Sequence, residues 1–91
     1  SERLNDYFTT TLTESLSRFS NQITRLEVHL TDENSNKEGQ NDKRCMLEAR
    51  VEGLQPIAVT GNANEIEQAV KSAIDKLKSS LDTVIGRMRN H

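Results

Sequence analysis

The chain has 91 residues, 33% of them apolar, with no Trp, one Tyr and two Phe; that supports a single domain over residues 1–91 with one core of Leu, Ile, Val and Ala. A formal charge of −2, from 12 Lys+Arg against 14 Asp+Glu, lacks the strongly basic balance of most nucleic-acid binders. No apolar run approaches the roughly 18 residues that cross a bilayer, no charged-then-apolar leader opens the sequence, and the lone Cys45 has neither a disulfide partner nor zinc-ligand spacing, so a reducing, cytoplasmic setting is expected.

In residues 4–19 the apolar positions Leu4, Tyr7, Phe8, Leu12, Leu16 and Phe19 follow the three-and-four spacing of one helix face. Ser1 suits the N-cap, with Glu2 in the first turn where the helix dipole favours negative charge. Strict alternation comes next in residues 24–30: Thr24, Leu26, Val28 and Leu30 point one way and Arg25, Glu27 and His29 the other, the pattern of a half-buried strand. Residues 32–42 are polar and aperiodic, which predicts a long hairpin loop. Alternation returns at Cys45, Leu47, Ala49 and Val51 against Met46, Glu48, Arg50 and Glu52.

Gly53 supplies a turn, and residues 56–60 make a short third strand with Ile57 and Val59 inward and Pro56 at its start or on a sheet edge. Asn64 with Glu67 reads as a helix cap with its capping-box partner, and Asn62 with Glu65 as the rival frame. The helix after them keeps Ile66, Ala69, Val70, Ala73, Ile74, Leu77, Leu81, Val84, Ile85 and Met88 on one face. Helix, three strands, helix makes an α+β fold whose simplest form is an antiparallel-rich sheet with both helices packed on one face.

Three stretches carry a family likeness: the helix opening Leu4-Asn5-Asp6-Tyr7-Phe8, the strand Ile23-Thr24-Arg25-Leu26-Glu27-Val28-His29-Leu30, and the end of the chain. There Ala58-Val59-Thr60-Gly61 and Glu65-Ile66-Glu67-Gln68-Ala69-Val70 lead into Ile74-Asp75-Lys76-Leu77. The sequence resembles the ribosome hibernation-promoting factor family, which includes the ribosome-associated inhibitor and the sigma-54 modulation proteins. The resemblance implies a β-α-β-β-β-α fold whose first strand is absent from this chain. It also implies binding to rRNA of the small ribosomal subunit across the mRNA and tRNA channel, which stabilises idle ribosomes, inhibits translation and needs no cofactor. The chain departs from the family at Thr11 and Glu14, where lysines are usual, and at Glu67, where an aromatic residue is usual.

Between Lys71 and His91 basic residues outnumber acidic ones. RNA-binding candidates are Arg18, Arg25, Lys71, Lys76, Lys78, Arg87 and Arg89, of which Lys71 and Lys78 project from nearly one side of the long helix and suit a phosphate backbone. Asp75 lies between those two lysines at ion-pair spacing, and ordinary helix pairs are the plainer reading. Arg25, Glu27, Glu48 and Arg50 suit a cross-strand charge ladder. Cys45 has the inward parity of a buried inert thiol, His29 falls on the solvent face and His91 is terminal. No catalytic or metal constellation and no glycine-rich phosphate loop is present, so the protein is expected to be a binder and not an enzyme.

Two other readings stay open: a protein-interaction module of the same fold with weakened RNA binding, and a double-stranded-RNA-binding-like domain, which shares the element order. The acidic Asn64-Glu65-Ile66-Glu67 start of the last helix speaks against the second. With no strand beside residues 24–30, that edge is expected to be open and prone to self-association.

Overall fold

The long apolar stripe near the C-terminus needs a sheet to lie on, and the alternating segments supply it. A computed structural model describes residues 2–32 and 42–89, with side chains described for 6–32 and 42–88. The elements are α1 (Glu2–Ser15), a 3₁₀ turn (Ser17–Phe19), β1 (Ile23–Asp32), β2 (Lys43–Val51), β3 (Ile57–Ala63) and α2 (Ile66–Arg89). The strands form one antiparallel sheet in the order β1-β2-β3, so the fold is α+β with the order α-β-β-β-α. Most of the loop expected at 32–42 lies outside the described residues, as do Ser1, His91 and the side chains of Glu2, Leu4 and Arg89.

β2 is the central strand, and its inward residues Cys45, Leu47, Ala49 and Val51 are all buried. Opposite them α2 buries Ala69, Val70, Ala73, Ile74, Leu77, Leu81 and Ile85, while α1 and the 3₁₀ turn contribute Phe8, Leu12, Leu16 and Phe19 to the same cluster. Each fully buried Leu here is worth about 1.5–3 kcal/mol relative to exposure. Burial pushes the Cys45 thiol up to about 11, so it stays protonated and inert at neutral pH.

Small residues let α2 sit close. Gly61 on β3 faces Cys45 across the sheet and is buried; a Cβ there would run into the Ala69 carbonyl and the Ala73 amide of α2. Gly53, at φ +78°, makes the turn after β2, closed by the Leu54 N–H donating to the Val51 carbonyl at 3.0 Å.

The structure corrects several expectations. The first helix ends at Ser15 instead of running to Phe19, and the chain tightens there. Phe19 N–H donates to the Leu16 carbonyl at 2.9 Å and Ser20 N–H to that of Ser17 at 3.1 Å, which tucks Phe19 into the core. Tyr7 is 51% exposed despite its place in the apolar spacing, and Met88 is also exposed. A bulge between Ile23 and Arg25 breaks the strand's parity, leaving Thr24 exposed with its hydroxyl donating to the Arg50 carbonyl at 3.2 Å. The third strand runs to Ala63 instead of stopping at Thr60.

α2 then begins at Ile66, and the Glu65 carbonyl just before it accepts a bond from Ala69 N–H. The register places Arg25 opposite Arg50 and Glu27 opposite Glu48, so no ladder of opposite charges forms across the strands. Arg25 instead pairs with Glu27 on its own strand at 3.4 Å, and His29 lies 3.6 Å from the same carboxylate.

Arg18 ties the 3₁₀ turn to α2. Its two terminal nitrogens each meet an Asp82 oxygen at 2.9 Å, and its guanidinium lies 4.2 Å from the Phe19 ring centre. The hydrogen bond from Arg18, and behind it the positive charges of Arg18 and Lys78, hold the Asp82 carboxyl below its ordinary 3.8.

Two outcomes test this packing. Gly61→Ala should lower stability by about 2–3 kcal/mol, because both atoms in its way are backbone, whereas Gly86→Ala, with open space around it, should raise stability by about 1 kcal/mol. Urea midpoints at constant slope read both. A carboxyl held low in the folded state stabilises above its unfolded range and ceases to as pH falls through the folded one. Asp82→Asn should therefore lower the thermal midpoint at pH 7, and the difference from the parent should close in acid below the ordinary aspartate range.

Candidate nucleic-acid interface

A helix pair on a sheet leaves a seam between the helices, and here the seam between α1 and α2 is lined by Lys71 and Lys78. The amphipathic stripe of α2 turns Val70 and Ile74 down into the core, which puts Lys71, Asp75 and Lys78 on its shoulder next to α1. From the other side α1 presents Tyr7, Thr11 and Ser15. Together they wall an open groove of about 390 Å³, with Phe8 in its lining and Glu67 and Gln68 near the start of α2. The Tyr7 ring stands edge-on to Phe8, with ring centres 5.2 Å apart.

Lys71 is exposed and Lys78 partly buried; among the described residues neither makes an ion pair, and Asp75 does not bridge them. The helix ion pairs expected around Asp75 do not form. Lys78 acts at longer range on Asp82.

Of the remaining candidates, those with described side chains do not gather here. Arg18 is engaged by Asp82 at the turn after α1. Arg25 lies on the outer face of the sheet, held by Glu27, with the sheet between it and the helices. Lys76, on the other shoulder of α2, reaches back to β3 and donates to the Thr60 carbonyl at 2.7 Å. Arg87 lies about three turns beyond Lys76 on that same shoulder and is exposed. The Arg89 side chain is outside the described residues. Of the seven candidates, the groove holds Lys71 and Lys78.

Tyr7 is the groove residue that sequence reasoning missed as a surface residue. Its position in the apolar spacing pointed inward, and the adjacent Phe8 in fact fills the core place. Of these two neighbouring aromatics Phe8 takes the centre of the apolar stripe and Tyr7 falls at its margin. Thr11 lies in the groove as well, so one of the positions at which this chain lacks a lysine belongs to this wall.

Among the described residues no group of His, Cys, Asp and Glu is placed to hold a metal ion, and none of the helices is long and apolar enough to cross a membrane. No curated protein sequence matches the chain. A family model described as sigma 54 modulation protein / S30EA ribosomal protein matches residues 1–89, spanning both helices, the sheet and the groove between the helices. The chain therefore belongs to the sigma 54 modulation protein / S30EA ribosomal protein family.

Proposed function

We propose that this protein binds the small ribosomal subunit through the groove between α1 and α2, with Lys71 and Lys78 on rRNA phosphates, and that by occupying the mRNA and tRNA channel it holds ribosomes idle and inhibits translation. The carrying observation is that these two lysines, in a chain of this family, flank one groove and make no ion pair among the described residues. A cation already neutralised by a carboxylate releases few counterions when it meets phosphate, whereas an unpaired one contributes fully. Tyr7 adds an exposed aromatic face beside the lysines, suited to an unstacked base. The action is occupancy and not catalysis, it requires no cofactor, and its place is the cytoplasm, where ribosomes are.

Arg18, Arg25, Lys76 and Arg87 are secondary in this reading. The first three have local partners that compete with phosphate, and Arg87 stands on the far shoulder of α2. Glu67 and Asp75 in the groove favour a second reading, a protein-binding module of the same fold in which the lysines meet an acidic protein surface.

Co-sedimentation with purified small subunits over a salt series separates these. Two phosphate contacts predict about a tenfold loss of affinity between roughly 50 and 200 mM salt. The double change Lys71→Glu and Lys78→Glu should abolish co-sedimentation at low salt without unfolding the protein, since both lie off the buried stripe, while Arg25→Glu should leave most of it. Thr11→Lys, which adds a cation to the same wall, should strengthen binding. Unchanged binding by the double variant rejects the groove, and absence of binding by the parent together with a discrete protein partner in pull-downs favours the second reading.

A further inference from the structure

A groove that takes a polyanion has no evident use for a carboxylate, yet Asp75 stands in its lining beside Lys71 and Lys78. Asp75 is exposed, and among the described residues it makes no ion pair with either lysine. Thr11 and Ser15 on the α1 wall carry hydroxyls and no charge, so they do not neutralise it. Glu67, the other acid of the lining, lies a turn before Lys71 and outside the span between the lysines.

Helix geometry says where this carboxylate meets a bound strand. At 1.5 Å per residue, Lys71 and Lys78 are about 10.5 Å apart along α2 and project within about 20° of each other. Asp75 rises between them, about 6 Å past Lys71 and about 40° round the helix, on the side away from the buried Val70 and Ile74. A strand whose phosphates sit on both lysines therefore carries its intervening backbone past Asp75. The exposed Tyr7 on the α1 wall offers its bases a stacking surface on the other side of the groove.

At that point the two nucleic acids differ. A phosphate brought next to the carboxylate is repelled, and the sugar–phosphate backbone of DNA offers only acceptors. The backbone of RNA carries one donor in each nucleotide, the 2′-hydroxyl. We infer that Asp75 selects RNA over DNA in this groove, its carboxylate accepting a hydrogen bond from the 2′-hydroxyl of a nucleotide spanned by Lys71 and Lys78. The role rests on the groove binding a nucleic-acid strand as proposed above. The lysines supply attraction that any polyanion feels, and Asp75 supplies the discrimination: against deoxyribose its charge only repels, and against ribose it is paired. Amino and imino groups of bases are donors too, but they change along a strand, whereas a 2′-hydroxyl accompanies every nucleotide of RNA.

Fluorescence anisotropy of the full chain at low salt tests this, with a short single-stranded RNA of mixed sequence, the same sequence as DNA, and the same RNA carrying 2′-O-methyl groups. A hydrogen bond to a charged group should favour RNA over DNA by about tenfold. The 2′-O-methyl RNA, which keeps the ribose and lacks the donor, should lose most of that advantage. Asp75→Ala, at an exposed helical position that alanine suits, should bring the ratio of RNA to DNA affinity close to one, chiefly by tightening DNA. Glu67→Ala should tighten both alike and leave the ratio as it is. A ratio unchanged by Asp75→Ala overturns the inference, as does a preference that follows guanine content instead of the sugar, and so does failure of the chain to bind the RNA oligonucleotide at all. Co-sedimentation with small subunits, run alongside, separates this from the reading beneath it. If co-sedimentation persists without any sugar preference, the role of Asp75 alone fails; if RNA selectivity is present and co-sedimentation absent, the ribosome reading alone fails.

Discussion

The close approach of α2 to β3 at Gly61 is the constraint on which the rest of the molecule depends. With no side chain between them, the backbone of α2 rests against the strand, and Ala69 and Ala73 are the residues that pass over it. Leu77, Leu81 and Ile85 are then carried down over the sheet, and Leu47 is sealed beneath them. That seat fixes which side of α2 faces the sheet, and so which shoulder bears Lys71 and Lys78. α1 has no comparable seat: it meets the core through Phe8, Leu12 and Leu16 and is stapled at its end by Arg18 to Asp82.

That asymmetry bears on the groove, which is formed where α1 stands against the more firmly seated α2.

The helical and strand periods were readable because burial enforces them. Leu12, Leu16, Leu47, Ala49, Ala73 and Leu77 all went where spacing placed them. What spacing does not encode is the exact termination of an element or the register between elements. The 3₁₀ tightening after Leu16 depends on where Phe19 can fit, and the bulge at Thr24 depends on how Ile23 meets Val51. Register decided the charge ladder, since Arg25 and Glu27 alternate with apolar residues equally well whichever residues of β2 face them. At the groove, spacing put Lys71 and Lys78 on one side of the helix but was silent on whether Asp75 would hold them, because ion pairing at a surface rests on rotamers worth a few tenths of a kcal/mol. Tyr7 was misplaced for the opposite reason: its residue type suits a core that the neighbouring Phe8 had already filled.

A chain with net charge −2 has little long-range attraction for a polyanion, and the groove itself sets Glu67 and Asp75 beside its two lysines. Attraction to rRNA in such a protein is a short-range matter. Beyond roughly 8–10 Å the opposing charges cancel and are screened, while at contact the outcome depends on which heads point outward and which groups are already paired. Arg18, doubly bonded to Asp82, is committed to structure and anchors the end of α1. Among the described residues Lys71 and Lys78 have no such ion-pair partner. The balance of the chain between a stable fold and a charged surface is therefore struck residue by residue along one shoulder of α2, and net charge alone is a poor guide to whether that shoulder meets RNA.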